Sequence, residues 1–166
     1  MRAGIALGAN LGDRHFCLTT ARDHIFALPK VMPPLLSSAL YETEPVECEA
    51  GAPKFLNAVI ELGYAGTSRQ LLEELQKIET DLGRSMQRSR NRSRTIDLDL
   101  LYHGARIIDE PDLQLPHPRL HVRGFVLQPL AEIRPNLVLP DQRKTIHEMT
   151  EELSPTPSVV RSARQW

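Results

Sequence analysis

Apolar and polar positions alternate most cleanly over residues 55–62. Leu56, Ala58, Ile60 and Leu62 fall on one side of an extended chain, and Phe55, Asn57, Val59 and Glu61 on the other. The pattern predicts a strand. The run AGIALGA at 3–9 predicts a second, buried strand that ends in the turn NLGD. Over 14–28 the apolar residues Cys17, Ala21, Ile25 and Leu28 recur at helical spacing, and Pro29 stops that helix. Residues 36–42 read as a strand, and 43–54, with two prolines and a glycine, as a long loop. Thr67 and Gln70 form a capping box. The helix they open carries an apolar stripe of Leu71, Leu75, Ile78 and Leu82 and ends at Gly83. An arginine-rich loop at 84–95 leads into a strand at 96–102, with a hairpin turn near His103-Gly104 and a return strand around 106–108. A proline-punctuated segment at 113–135 contains a short helix near 124–132. A helix at 145–153 and a short strand at 158–161 close the chain. The order strand, helix, strand, strand, helix, strand predicts an α+β sandwich of ferredoxin-like type. Its central, mainly antiparallel sheet would be flanked by helices, unlike a doubly wound parallel sheet.

Composition narrows the class. With 166 residues, 41% apolar and 25% charged, the chain is expected to be one globular domain spanning 1–166. No apolar run reaches the roughly 18–20 residues of a membrane span, and the first residues lack the apolar core of a signal peptide. The two cysteines, Cys17 and Cys48, are too few for a disulfide framework or a zinc site, so a cytoplasmic protein is expected. A formal net charge of −1 gives no overall field for polyanions, so any anion site must be local.

The chemistry concentrates around Asp97-Leu98-Asp99. Two residues apart on a strand, the carboxylates share a face, while Ile96, Leu98 and Leu100 take the other. Two anions that close need a cation, and hard oxygen donors suit magnesium. A bare D-x-D equally describes the solvated face of an edge strand. The preceding loop, RSMQRSRNRSR, has arginines at 84, 88, 90, 92 and 94 and no acid. A metal-binding pair directly after a basic loop matches the needs of phosphoryl transfer. A solvated basic loop and an RNA-binding arginine run are the alternatives, the latter weakened by the absence of a stacking aromatic. No GxxxxGK[ST] sequence occurs, so if a nucleotide binds, side chains must hold its phosphates. Gln76 and Glu79 flank the apolar stripe of their helix and could reach a nucleotide or metal, but from the helix alone they read first as an ordinary polar flank. His117, Arg123 and Phe125 lie in a stiff, proline-framed segment. The histidine reads first as a turn residue bonded to backbone, and the phenylalanine as core.

Five segments in order, GANLGDR at 8–14, YETEPV at 41–46, FLNAVIEL at 55–62, RTIDLDLL at 94–101 and LPHPRLHVRGFVLQPLAEIRP at 115–135, resemble the motif series of the 6-hydroxymethyl-7,8-dihydropterin pyrophosphokinases. The resemblance runs from about residue 4 to about residue 140. It implies transfer of pyrophosphate from ATP to the pterin alcohol with release of AMP, in folate biosynthesis. By the same resemblance Asp97 and Asp99 bind two Mg2+ ions, and Arg84 and Arg94 act on the phosphates. Gln76, Leu100 (through its backbone), His117 and Arg123 contact ATP. Thr43, Val46, Phe55, Asn57 and Phe125 form the pterin pocket. The sequence departs from the family pattern at Asn91-Arg92-Ser93, where Trp-Gly-Pro is frequent, and at Glu44, Met86 and Pro118. The expected partners are the two small-molecule substrates, with no nucleic acid and no membrane, and a monomer is expected. The rival readings are a magnesium-dependent phosphoryl or nucleotidyl transferase with another acceptor, and a nucleic-acid-binding module.

Overall fold

The structure, a computed structural model, describes residues 1–45, 53–83, 95–140, 142–153 and 159–166. The elements are β1 (Arg2–Ala9), α1 (Arg14–Phe26), β2 (Val31–Ser37), β3 (Tyr41–Thr43), β4 (Phe55–Tyr64), α2 (Ser68–Asp81), β5 (Asp97–His103), β6 (Ile108–Glu110), β7 (Leu113–Leu115), α3 (Gly124–Ile133), α4 (Ile146–Glu152) and β8 (Val159–Arg161). Strand order in the main sheet is β5-β1-β4-β3-β8, with β2 also on β4. All its pairings are antiparallel. The crossover through α1 passes over β4 and the one through α2 passes over β1, which is the ferredoxin-like arrangement.

The period-2 pattern of β4 separates two cores. Leu56, Ala58, Ile60 and Leu62 join Ile5, Leu7, Leu98 and Leu100 beneath α1 and α2. Val59 joins Leu101 and Tyr102 beneath α3 and α4. Each fully buried Leu or Ile contributes roughly 1.5–3 kcal/mol. The helices that cover the first core start where their caps dictate. Asp13 accepts the Phe16 N–H, and Thr67 and Gln70 close the capping box of α2. Gly83, at φ 89°, turns the chain out of α2. Under α3, the carboxylate of Glu61 is fully buried and is met by Arg2, Arg134 (2.9 Å) and the Tyr102 hydroxyl (2.5 Å). A lone buried charge is costly, and three donors offset that cost. Tyr102 reaches Glu61 by lying across Gly4, where a Cβ would come within 2.2 Å of its ring.

Two elements differ from the pattern-based expectation. The strand expected at 36–42 is two strands, because the Ser38 hydroxyl takes the Val59 N–H (3.0 Å) and Leu40 turns into the core. β2 begins earlier, at Val31, and crosses Pro33-Pro34 through a register shift between Met32 and Leu35. Proline has no N–H for the ladder, so a shift is needed there. The return strand expected at 106–108 does not pair with β5. Its place is β6, which pairs with β7 in a separate hairpin. The outer edge of β5 is already used: the Leu98 N–H donates to Glu79 (2.7 Å), and the Leu101 carbonyl accepts the His117 N–H (2.8 Å).

His103, at the end of β5, is fully buried against Ser68, whose Oγ lies 2.9 Å from its Nδ1. Burial holds its pKa below the ordinary value. The unfolded chain therefore takes up this proton first on acidification. Stability is full above about pH 6.5 and is lost as pH falls through the folded-state value, at up to about 1.4 kcal/mol per pH unit for one proton. Urea unfolding between pH 7 and 5 is expected to show this slope, and His103→Gln to reduce it. An unchanged slope in the variant would show that other groups control acid stability.

Candidate active site

The face of the sheet beneath α3 carries the polar residues. The register sets Gly8 of β1 between Asn57 of β4 and Asp97 of β5. Ala6 stands one row on, between Val59 and Asp99. Across two strand spacings, Asn57 and Asp97 are about 10 Å apart. Small residues on β1, Gly8 and Ala6, leave the floor between them open among the described residues. A Cβ at Gly8 would stand 3.1 Å from the Asn57 Oδ1. Asn57 is 5% exposed, and its Nδ2 donates to the Thr43 Oγ1 at 2.8 Å, itself buried. That bond fixes the amide so that its oxygen looks over Gly8. Phe55, paired with Thr43, is half-buried on the same side. Asn10, which follows β1 and reads as a turn residue, is 2% exposed at this end of the sheet.

Asp97 and Asp99 stand together as their spacing requires, half-exposed, while Leu98 and Leu100 are buried on the other face. Arg123, at the N-cap of α3, donates to the Asp99 Oδ2 at 3.2 Å. Burial pulls its pKa down and Asp99 opposes that shift, followed by a smaller contribution from Asp97. The His117 Nε2 lies 3.9 Å from the same Asp99 oxygen. Its Nδ1 accepts the Arg119 N–H at 3.2 Å, so a neutral ring carries its proton on Nε2, toward Asp99. Burial outweighs the opposing pull of Asp99 and keeps its pKa low. His117 is thus a turn histidine that also faces the acidic pair. Phe125 is half-buried, with the Arg123 guanidinium 5.5 Å from its ring centre.

Glu79 is the residue that a reading of α2 as polar flank misses. It is 5% exposed, and its Oε1 accepts the Leu98 N–H from between the two aspartates. A carboxylate directly after Ile78, at the edge of the buried stripe, gives no local sign of this, because its partner is far along the chain. Gln76, by contrast, is exposed. A cleft of about 260 Å³ lies along β5, lined by Leu72, Leu98, Leu100, Leu113, Asp99 and His117 among others. Its size suits part of a nucleotide. The hairpin side of the cleft, from Pro111 to Gln114, carried no sequence signal. Arg69 of α2 ties that hairpin down through Asp112 (2.5 Å) and Glu110. Val46, Arg84 and Arg94, with Asn91 and Met86, lie outside the described residues.

Among the described residues no group of three or more His, Cys, Asp or Glu side chains is arranged to hold a metal. Two half-exposed carboxylates on one strand face still fit magnesium, which commonly takes one or two carboxylates and fills its shell with substrate phosphates and water.

Residues 4–135 match the family model described as 7,8-dihydro-6-hydroxymethylpterin-pyrophosphokinase (HPPK). The chain is 43% identical over 131 residues to the 2-amino-4-hydroxy-6-hydroxymethyldihydropteridine pyrophosphokinase of Bacillus subtilis, covering 79% of this chain and 77% of that protein. It is 40% identical over 156 residues to the protein of that name from Methylorubrum extorquens, covering 93% and 95%. The fold is similar to a Plasmodium falciparum HPPK-DHPS structure, with a TM-score of 0.69 and 15% identity over 91% of this chain. The chain spans 45% of that longer protein.

Removing the Glu79 carboxylate strands the buried Leu98 N–H. Glu79→Ala is expected to destabilise the protein by about 1–3 kcal/mol, and Glu79→Gln, which keeps an acceptor, by less. Urea unfolding measures both. Equal stability of Glu79→Ala and the parent would show that the bond does not hold β5.

Proposed function

The chain belongs to the 7,8-dihydro-6-hydroxymethylpterin-pyrophosphokinase family, and on that premise we propose how its residues divide the work. The reaction moves a pyrophosphoryl group from ATP to 6-hydroxymethyl-7,8-dihydropterin, a step of folate biosynthesis. The observation that best supports the assignment is that Asn57, an amide suited to a heterocycle, and Asp97, with Asp99 one row on and suited to the magnesium that accompanies a phosphate chain, stand on either side of Gly8 on one sheet face.

The pterin lies over Gly8. Its donor–acceptor edge meets the Asn57 amide, and its rings pack between Phe55 and Phe125, with Thr43 and Val46 completing the pocket. ATP lies along β5, with its base in the cleft lined by Leu100. Gln76, His117 and Arg123 are assigned to its polar groups, and Arg84 and Arg94 to the phosphates. Asp97 and Asp99 would hold the magnesium, two ions by the family resemblance. When bound, the metal neutralises the triphosphate and polarises the bond that breaks. The hydroxymethyl oxygen attacks the β-phosphorus, the bond from that phosphorus to the α-phosphate's bridging oxygen breaks, AMP leaves, and the hydroxyl proton is released. Holding the two reactants in line across a rigid sheet removes much of the entropic barrier. Arg123 serves as counter-charge to Asp99 and is placed to shift toward phosphate when ATP arrives. A cytoplasmic monomer of a single domain is the proposed working form. Among the described residues no helix is long and apolar enough to cross a membrane.

Incubation with magnesium, ATP and hydroxymethyldihydropterin should yield AMP and the pterin diphosphate. ADP as product would indicate ordinary kinase chemistry, and free pyrophosphate nucleotidyl transfer. Asp97→Ala and Asp99→Ala should each reduce turnover by far more than about tenfold with the fold intact, since a metal clamp supplies several kcal/mol. Turnover within that factor would remove the metal assignment. Phe125→Ala should weaken pterin binding by about 2–3 kcal/mol, roughly 30–150-fold, and leave ATP binding unchanged. Calorimetry with a non-hydrolysable ATP analogue decides this, and unchanged pterin affinity would make the ring core packing.

A further inference from the structure

We propose that Glu132 is a positioning residue for the pterin, fixing the gap between the two walls of its pocket. The proposal rests on the pocket assigned above. One wall is the sheet, with Thr43 and Asn57. The other is α3, with Phe125 at its N-terminal end. Phe125 and Glu132 are seven residues apart, two turns on one face of α3. Glu132 reaches the sheet at the far end of that face. Its Oε2 accepts the Ala39 N–H (2.8 Å) and the Tyr41 O–H (3.0 Å), and its Oε1 accepts from Arg161 (3.0 Å).

The partners are those the pocket depends on. Tyr41 pairs in register with Asn57 on one side and with Arg161 on the other. Asp97, Gly8, Asn57, Tyr41 and Arg161 therefore form one row across five strands. Two residues after Tyr41, on the same face of β3, Thr43 carries the hydroxyl that orients the Asn57 amide. Arg123 ties the start of α3 to Asp99 at one end of the sheet. Glu132 ties its other end to β3 and β8. With both ends fastened, Phe125 is held at a set height above Asn57. Burial and the Glu132 hydrogen bond push the Tyr41 pKa up to about 12, so the hydroxyl remains a donor at all working pH values. The partners of Glu132 are Ala39, Tyr41 and Arg161, none of them assigned to ATP, and Arg123 keeps its own tie to Asp99, so loss of Glu132 should act mainly on the pterin.

The test is Glu132→Ala, Glu132→Gln and Tyr41→Phe, with calorimetric Kd and steady-state KM for each substrate. Glu132→Ala is expected to weaken pterin binding about tenfold, with ATP affinity within about twofold and kcat at saturation little changed. Glu132→Gln, which keeps an acceptor for the Ala39 N–H, should recover part of the loss, and Tyr41→Phe should show a smaller loss of the same kind. If Glu132→Ala does not fold, the milder pair carries the same expectation. Parental pterin affinity, or equal losses for both substrates, would overturn the proposal. If Phe125→Ala impairs pterin binding and Glu132→Ala does not, positioning fails and the pocket stands. If neither does, the pocket assignment itself fails.

Discussion

Everything in this site depends on the register between β1 and its two neighbours. An antiparallel ladder sets residues side by side, and a slip of one residue turns every side chain to the other face. Here the register sets Asn57, Gly8 and Asp97 abreast. Slipped by one, the aspartates would face the apolar core under α1 and α2, where Leu98 and Leu100 now lie. The cost of burying those charges reinforces the register that the leucines favour. Core packing and site geometry are one choice made by the same alternation.

The acidic pair sits on an edge strand, a position that ordinarily frays or recruits another strand. Glu79 and the His117 backbone N–H occupy that edge instead. The first bonds the peptide between the two aspartates, and the second fixes the segment that brings His117 and Arg123 over Asp99. Arg123 offsets the charge of Asp99, to which it donates at 3.2 Å.

Features with a local period were legible in the sequence. The faces of β4, the capping box of α2, the burial of Cys17 and the shared face of Asp97 and Asp99 all follow from spacing alone. The motif series supplied the family, because five segments in order carry more information than any one of them. What the sequence concealed is paired over long distances. Glu79 and Leu98 are 19 positions apart, and Glu132 and Ala39 are 93 apart. A glutamate on a helix looks the same whether it meets water or a strand. The break between β2 and β3 was hidden for a similar reason, since a serine hydroxyl there substitutes for a backbone partner. The misplaced return strand after β5 followed from treating Gly104 as a hairpin turn, when the edge it would have joined was already filled.

The central claim is that the open floor over Gly8 is where the pterin lies, in line with the acidic pair. Gly8→Val tests it most directly. Valine suits a strand, so the sheet should form, but its side chain fills the floor and crowds the Asn57 oxygen. Calorimetric titration of the folded variant with each ligand should show pterin affinity reduced by more than about tenfold and ATP affinity retained. Unchanged pterin affinity in Gly8→Val would contradict the account.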